Sequence, residues 1–217
     1  MPVKINEPWQ VPMTRCALET LRLTAPDVKI LVCETGTAVR NMCEDTDIRA
    51  HHVETHTGGC NSDANVGFEM VETTWTVYTS NDIFVRPGWK EALIDCFMLE
   101  DCGVATLASG DLRSTHLGQN FGKKYIAEGV YGPFMMFRSE WRFDADRYPG
   151  AFGDTDLVAR IYESGKRAYR NYSVVIEHLT HSTLGANDFE PASRRFAEDW
   201  GEDPKFVVRA LVQGMIL

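Results

Sequence analysis

The segment TVYTSNDIFVRPGW, residues 76–89, changes character at its middle. Thr76–Ser80 is β-branched and aromatic and predicts a strand. Asn81–Gly88 predicts a loop. Trp89, Leu93, Cys96 and Phe97 then recur at helical spacing, so an amphipathic helix is expected over Trp89–Glu100 with Gly103 as its stop. A strand that delivers Ser80, Asn81 and Asp82 to its carboxyl end before a helix is a unit of an open α/β sheet, which binds its ligands at that edge.

The same alternation continues on both sides. Upstream, a helix is expected over Thr14–Leu23, ending near Pro26, before the strand VKILVC at Val28–Cys33. Downstream, Val104–Ala108 predicts a strand, and the glycine-rich stretch Ser109–Gly129 a loop long enough to be functional. Val130–Arg138 predicts a strand interrupted by Gly132 and Pro133, Thr155–Ser164 a short helix opened by Asp154 and closed by Gly165, and Tyr172–His178 a late buried strand. The tail from Pro191 predicts two helical pieces, the second opening at Asp203 and Pro204. This order implies an α/β fold with a mixed, mostly parallel central sheet flanked by helices. No repeat or linker interrupts it, so one domain over 1–217 is expected, with a nucleotide-binding half (1–108) and an acceptor-binding half (109–217).

The 217 residues, 44% hydrophobic and 24% charged, suffice for a substantial core. Asp and Glu number 31 against 22 Lys and Arg, a formal charge of −9, which excludes a broadly basic nucleic-acid surface. No apolar run approaches the roughly 18 residues of a membrane span, and Glu7, Gln10 and Arg15 break up the start where a signal peptide would be apolar. A cytoplasmic location is expected. Six cysteines stand singly without a CxxC pair, which predicts reduced, mostly buried thiols rather than a zinc site.

Neither GxGxxG nor GxxxxGK[ST] occurs, which disfavours a dinucleotide-binding or P-loop enzyme, and no GxSxG elbow marks a serine hydrolase. Asp82, at a strand end, suits a divalent cation, manganese or magnesium, bridging nucleotide phosphates; an ordinary Asn-Asp turn is the plainer alternative. In the cluster Gly153, Asp154, Thr155, Asp156, one carboxylate can cap the helix and another can act as general base. His178, with His181 three residues on, is either a metal ligand or a satisfied structural histidine.

In this order the motifs resemble the family 2 glycosyltransferases with their GT-A fold, over about Ala17–Thr183. VKILVC followed by Glu34, Thr35, Gly36 and Thr37 is similar to the family's strand after a leading helix and its acidic turn; Asn61–Gly67 (NSDANVG) to its small-residue turn; YTSND followed by Pro87, Gly88 and Trp89 to its DxD-type motif and Pro-Gly-Trp turn. GPFMMFR (Gly132–Arg138), GAFGDTDLVAR (Gly150–Arg160), Gly165–Lys166 and VIEH look like the family's later segments. Ser80 stands where the DxD motif has its first acid, and Gly153 where the family has Glu.

The resemblance implies a metal-dependent transfer of a sugar, by default from a UDP-sugar, to an acceptor hydroxyl with inversion. Asp82 and His178 are then the metal ligands, Glu34, Asp63, Asn65, Asn81 and Asp82 the donor contacts, and Asp154 the base with Asp156 in reserve. Lys123 and Lys124 would close over the diphosphate. A glycan, lipid, protein or modified nucleobase would fit as acceptor. A GT-A-like module that binds a sugar nucleotide without turnover, and a nucleotidyl transferase, remain as alternatives.

Overall fold

The computed structural model describes residues 1–56, 59–109, 124–126, 132–179 and 189–201. The first third builds a parallel sheet in the order β1 (Pro2–Val3), β2 (Ile30–Glu34), β3 (Ala50–Glu54), with Cys33 opposite both Pro2 and Val53. Parallel neighbours need a crossover, and α1 (Gln10–Thr24) supplies it, burying Met13, Ala17, Leu18 and Leu21 at helical spacing. The helix begins four residues before Thr14 because Gln10 Oε1 accepts from the amides of Asn6 at 2.6 Å and Glu7 at 3.0 Å, winding the chain into its first turn.

After α2 (Arg40–Cys43) comes α3 (Cys60–Glu69). The expected turn over Asn61–Gly67 is thus corrected to a helix. Its small residues permit close packing rather than a bend: a Cβ on Gly67 would overlap Cys33 Sγ of β2.

The second sheet has the order β4 (Trp75–Thr79), β8 (Phe134–Arg138), β6 (Cys102–Ser109), β9 (Arg167–His178), β5 (Ile83–Phe84), with β7 (Lys124–Ile126) also on β9. Its longest ladder, β6 with β9, is parallel, while β8 runs antiparallel to both β4 and β6. The expected α/β class with a mixed sheet is therefore what forms. Helices α4 (Trp89–Cys96), α5 (Gly153–Glu163) and α6 (Phe189–Trp200) complete it.

One hydrophobic cluster joins the two sheets, with Val3, Leu18, Ile30 and Val32 packed among Ile83, Trp89, Leu107, Phe134 and Ile176. Trp89 is fully buried, meets Phe134 edge to face with centroids 5.7 Å apart, and donates Nε1–H to Thr24 Oγ1 at 2.8 Å, so its polar atom is satisfied inside the core. A second cluster, including Phe137, Phe143, Tyr148, Leu157, Ile161 and Phe196, seats α5 and α6.

Several boundaries differ from expectation. α4 ends at Cys96 rather than Glu100, and Gly103 does not stop it: Gly103 lies in β6, where a Cβ would press on Ile161 of α5 and on Lys166. Lys124–Ile126, expected within a loop, pairs antiparallel with Tyr169–Asn171. β9 starts five residues before Tyr172 because its polar residues find partners inside, Asn171 Nδ2 donating to Ala92 O at 2.9 Å. The expected second tail helix at Asp203 lies outside the described residues. All six cysteines are free and four are buried. Among the described residues no helix is long and apolar enough to cross a membrane.

Candidate active site

Ser80, Asn81 and Asp82 turn the chain from β4 into β5, and they separate in role. Asn81 faces inward, Nδ2 donating to Thr14 Oγ1 at 2.9 Å, and so fixes the turn to α1. Asp82, 2% exposed, is held beside the end of β9 because Ile83 registers opposite His178 and Leu179 N donates to Asp82 O at 3.1 Å. The register places Asp82 Oδ2 3.3 Å from His178 Nε2, while Ser80 Oγ donates to Oδ1. The two expected metal ligands are thus brought together across about a hundred residues of sequence. Among the described residues no group of three or more His, Cys, Asp or Glu assembles. One carboxylate plus one imidazole suits a hard cation only when phosphate oxygens and water complete its shell. His181 lies outside the described residues.

Asp154 is in the first turn of α5. The N-cap is Phe152, in the left-handed region at φ 64°, and not Asp154; no side chain caps this helix. The Thr155 amide and hydroxyl and the Asp154 backbone amide lie near this carboxyl and favour its charged form. Though the residue is only part-buried, desolvation pushes its pKa above the ordinary carboxyl value, outweighing these groups. It lies hard against Gly132, where any Cβ would overlap Oδ2. The charge of Asp154 also reaches Cys60, whose thiol is pushed to about 11 mainly by burial, and buried Tyr78, which burial raises well above its usual value with added repulsion from Asp154 and Asp82. Tyr78 thus lies within electrostatic range of both acids.

Asp156 has a different environment. Two residues on, about 200° round the helix, it accepts from Arg160 Nε at 2.8 Å and from Trp200 Nε1 at 3.3 Å. Burial raises its pKa while Arg160 pulls it back. Oδ1 fastens α6 to α5 through Trp200 while Oδ2 is held by Arg160 of its own helix, so this carboxylate is engaged away from Asp154.

At the carboxyl ends of β2 and β3, Glu34 is 2% exposed, its Oε2 2.8 Å from His52 Nε2 and accepting from Val39 N at 3.2 Å. Asp63, on α3, accepts from Thr35 Oγ1 at 3.3 Å, and Thr35 meets Thr55 at 3.2 Å. Asn65 is placed elsewhere: its amide donates to Phe143 O at 2.9 Å and accepts from Phe143 N at 3.1 Å, which makes it a clamp on the chain leading to α5. Lys123 lies outside the described residues, and Lys124 opens β7.

Local pattern gives no site role to Tyr78, Cys60 and His52 or to the steric demand at Gly132, and offers Asn61 only as a turn former. For Gly132 a signal was present, since Gly-Pro in mid-strand marks a close approach as readily as a break. The others look like ordinary strand or helix residues until the fold gathers them.

No protein-family model matches the sequence, and no curated protein matches it. Solved structures do. The mannosyltransferase PcManGT of Pyrobaculum calidifontis, in complex with GDP-Man and Mn2+, superposes with a TM-score of 0.72 at 16% identity over 97% of this chain and 68% of its own. GalNAc-T7 with UDP, GalNAc and Mn2+ gives 0.68 at 10% identity, over 92% of this chain and 48% of its own. Residues 1–349 of S. aureus TarS give 0.64 at 13%, over 99% and 69%. The chain thus spans about two thirds of the first and less than half of the second. It has the α/β fold of these glycosyltransferases.

Proposed function

We propose that this chain is a glycosyltransferase that moves a sugar from a nucleotide-sugar donor, a UDP-sugar in the first instance, to an acceptor hydroxyl with inversion. The observation that carries the reading is one part-buried carboxyl with a raised pKa, Asp154, within electrostatic range of the same tyrosine, Tyr78, as Asp82, the acid beside His178. A base of this kind and an anion-bearing leaving group are the two needs of the reaction. The likeness to structures holding GDP-Man or UDP with Mn2+ supports the choice of ligand class.

In this reading Asp82 and His178 hold manganese or magnesium, which when bound neutralises charge on the departing diphosphate. Glu34, at the end of β2, and Asp63, on α3 beside Thr35, face the nucleoside, and His52 keeps the Glu34 carboxylate in place. Asp154 takes the proton from the acceptor hydroxyl as that oxygen attacks the anomeric carbon from the side opposite the diphosphate, which inverts the centre. Its raised pKa makes it a stronger base than a surface aspartate. Gly132 leaves the room its oxygen needs. Asn81, Asn65 and Asp156 hold the frame.

The test is thermal denaturation with UDP-, GDP-, CMP- and dTDP-linked sugars, each with and without manganese, on the parent and on D82A. One donor should raise the midpoint in a manganese-dependent way, and D82A should lose that gain, because a ligand bound only to the folded state stabilises by mass action. No shift with any donor sinks the reading. A shift with no sugar transferred to water or to any acceptor favours the second reading, a binding module, for which Gly153 in place of an acid is the supporting observation.

A further inference from the structure

Helix α3 is fastened along its length to the segment that leads into α5. At its start, Asn61 N donates to Pro149 O at 3.0 Å, and Asn61 Nδ2 donates to Tyr148 O at 2.6 Å and to Gly150 O at 3.1 Å. The Cys60 thiol reaches the same Gly150 carbonyl at 3.1 Å. One turn on, Asn65 pairs with the Phe143 backbone, and at the far end Arg142 Nη2 donates to Phe68 O at 3.2 Å. Two glycines record how close the elements come. A Cβ on Gly59 would lie 2.6 Å from Pro149 O, and a Cβ on Gly153 would overlap the Asn61 amide nitrogen.

Gly153 immediately precedes Asp154. The Asn61 side-chain amide therefore fills the space that a side chain at 153 would need, and it ties down Tyr148 and Gly150 on the chain's approach to α5, while the Asn61 backbone amide holds Pro149. Asn61 is itself 2% exposed, so water cannot replace it as donor to the two carbonyls without the helix moving away.

We propose that Asn61 is a positioning residue for Asp154: its amide, lodged between the Tyr148 and Gly150 carbonyls and against Gly153, sets the start of α5 and thereby holds the Asp154 carboxyl against Gly132. The role rests on the sugar-transfer reading above, in which Asp154 meets the acceptor hydroxyl. It deepens that reading, because α3 also carries Asp63, whose carboxylate meets Thr35 on the donor side. One rigid helix then sets both the donor-side carboxylate and the base.

The experiment compares the parent with N61A, G153A and R142A as full chains, following the Asp154 titration by carbon-13 carboxyl NMR (assigned with D154N), the melting temperature, and kcat and donor KM for transfer. N61A and G153A should both move the Asp154 midpoint down towards the ordinary carboxyl value and lower kcat by about 100-fold with donor KM unchanged, the loss expected of a misplaced catalytic group. R142A cuts the same seam at its far end and should lower the melting temperature while leaving the Asp154 midpoint in place. If N61A only lowers the melting temperature, with midpoint and kcat as in the parent, Asn61 is a structural clamp and the proposal is overturned. Should N61A fail to fold, G153A, which keeps Asn61 and adds one methyl against it, carries the same decision. A parent that transfers no sugar removes the functional reading, while the NMR midpoint still decides whether Asn61 places Asp154.

Discussion

The Asp154 carboxyl and the backbone of Gly132 occupy adjoining space with no room between them: a Cβ at 132 would overlap Oδ2 and crowd the carboxyl carbon. The contact joins the start of α5 to the entry of β8. G132A therefore has to move Asp154 or the strand. Overpacking of this kind costs about 1–3 kcal/mol, and we expect a lower melting temperature together with a fall in kcat of about 100-fold. A G132A chain with parental kcat would place the acceptor site elsewhere.

D154N should leave manganese-dependent donor binding intact and reduce transfer by about 10²–10⁴-fold, the usual contribution of a general base. Steady-state rates beside the thermal shift separate the two effects. Loss of donor binding in D154N would instead make Asp154 a donor ligand.

Asp154 also predicts a pH-dependent stability. Its pKa is raised in the folded chain, so the folded state holds the proton more tightly than the unfolded state. That stabilisation is complete below the unfolded carboxyl value and is lost as pH rises through the folded value. Above it the fold carries a partly desolvated charge that D154N lacks. The D154N melting temperature should exceed the parent's near about pH 7 and match it near about pH 3, below the ordinary carboxyl range. Transfer by the parent should rise with pH through the same folded value, an acid limb that denaturation scans and rate profiles must place together.

Asp156 separates from Asp154 by its readout. D156A leaves Arg160 and the Trp200 indole without their shared acceptor. Arg160 is 31% exposed, so solvent screens part of the loss, and about 1–3 kcal/mol of destabilisation is expected from the unsatisfied groups. Urea unfolding should register that drop while donor binding stays parental. Transfer abolished in D156A at full stability would give Asp156 the role assigned to Asp154.

H178A should weaken the manganese-dependent part of the donor-induced thermal shift and spare any metal-independent part, since in the proposed reading the imidazole serves the cation and not the nucleoside. D82A should remove the metal-dependent part completely. An H178A shift identical to the parent's would leave Asp82 as the cation's anchor without the imidazole.

Much of this arrangement was readable along the chain. The α/β alternation, the polar turn after β4, the helix beginning near Asp154 and the histidine closing β9 follow from β-branched runs, helical spacing and turn residues, all of which act over a few neighbours. Even the boundaries that slipped did so for reasons absent from local pattern: Gln10 caps two upstream amides through its side chain, and β9 is longer because Asn171 is satisfied by Ala92 across the core.

The assignment of roles within each motif needed contacts between distant segments. Local pattern presents Asp154 and Asp156 as equivalent acids on one helix; close approach to Gly132 sets one apart, and Arg160 with Trp200 engages the other. It presents Asn61, Asn65 and Asn81 alike as candidates or turn formers, whereas the fold directs their amides to the carbonyls of 148 and 150, to Phe143 and to Thr14. Charge and hydrogen-bonding capacity belong to the residue, but desolvation and partner geometry belong to the packed chain, and those two quantities separate the acid packed against Gly132 from the acid that holds a helix.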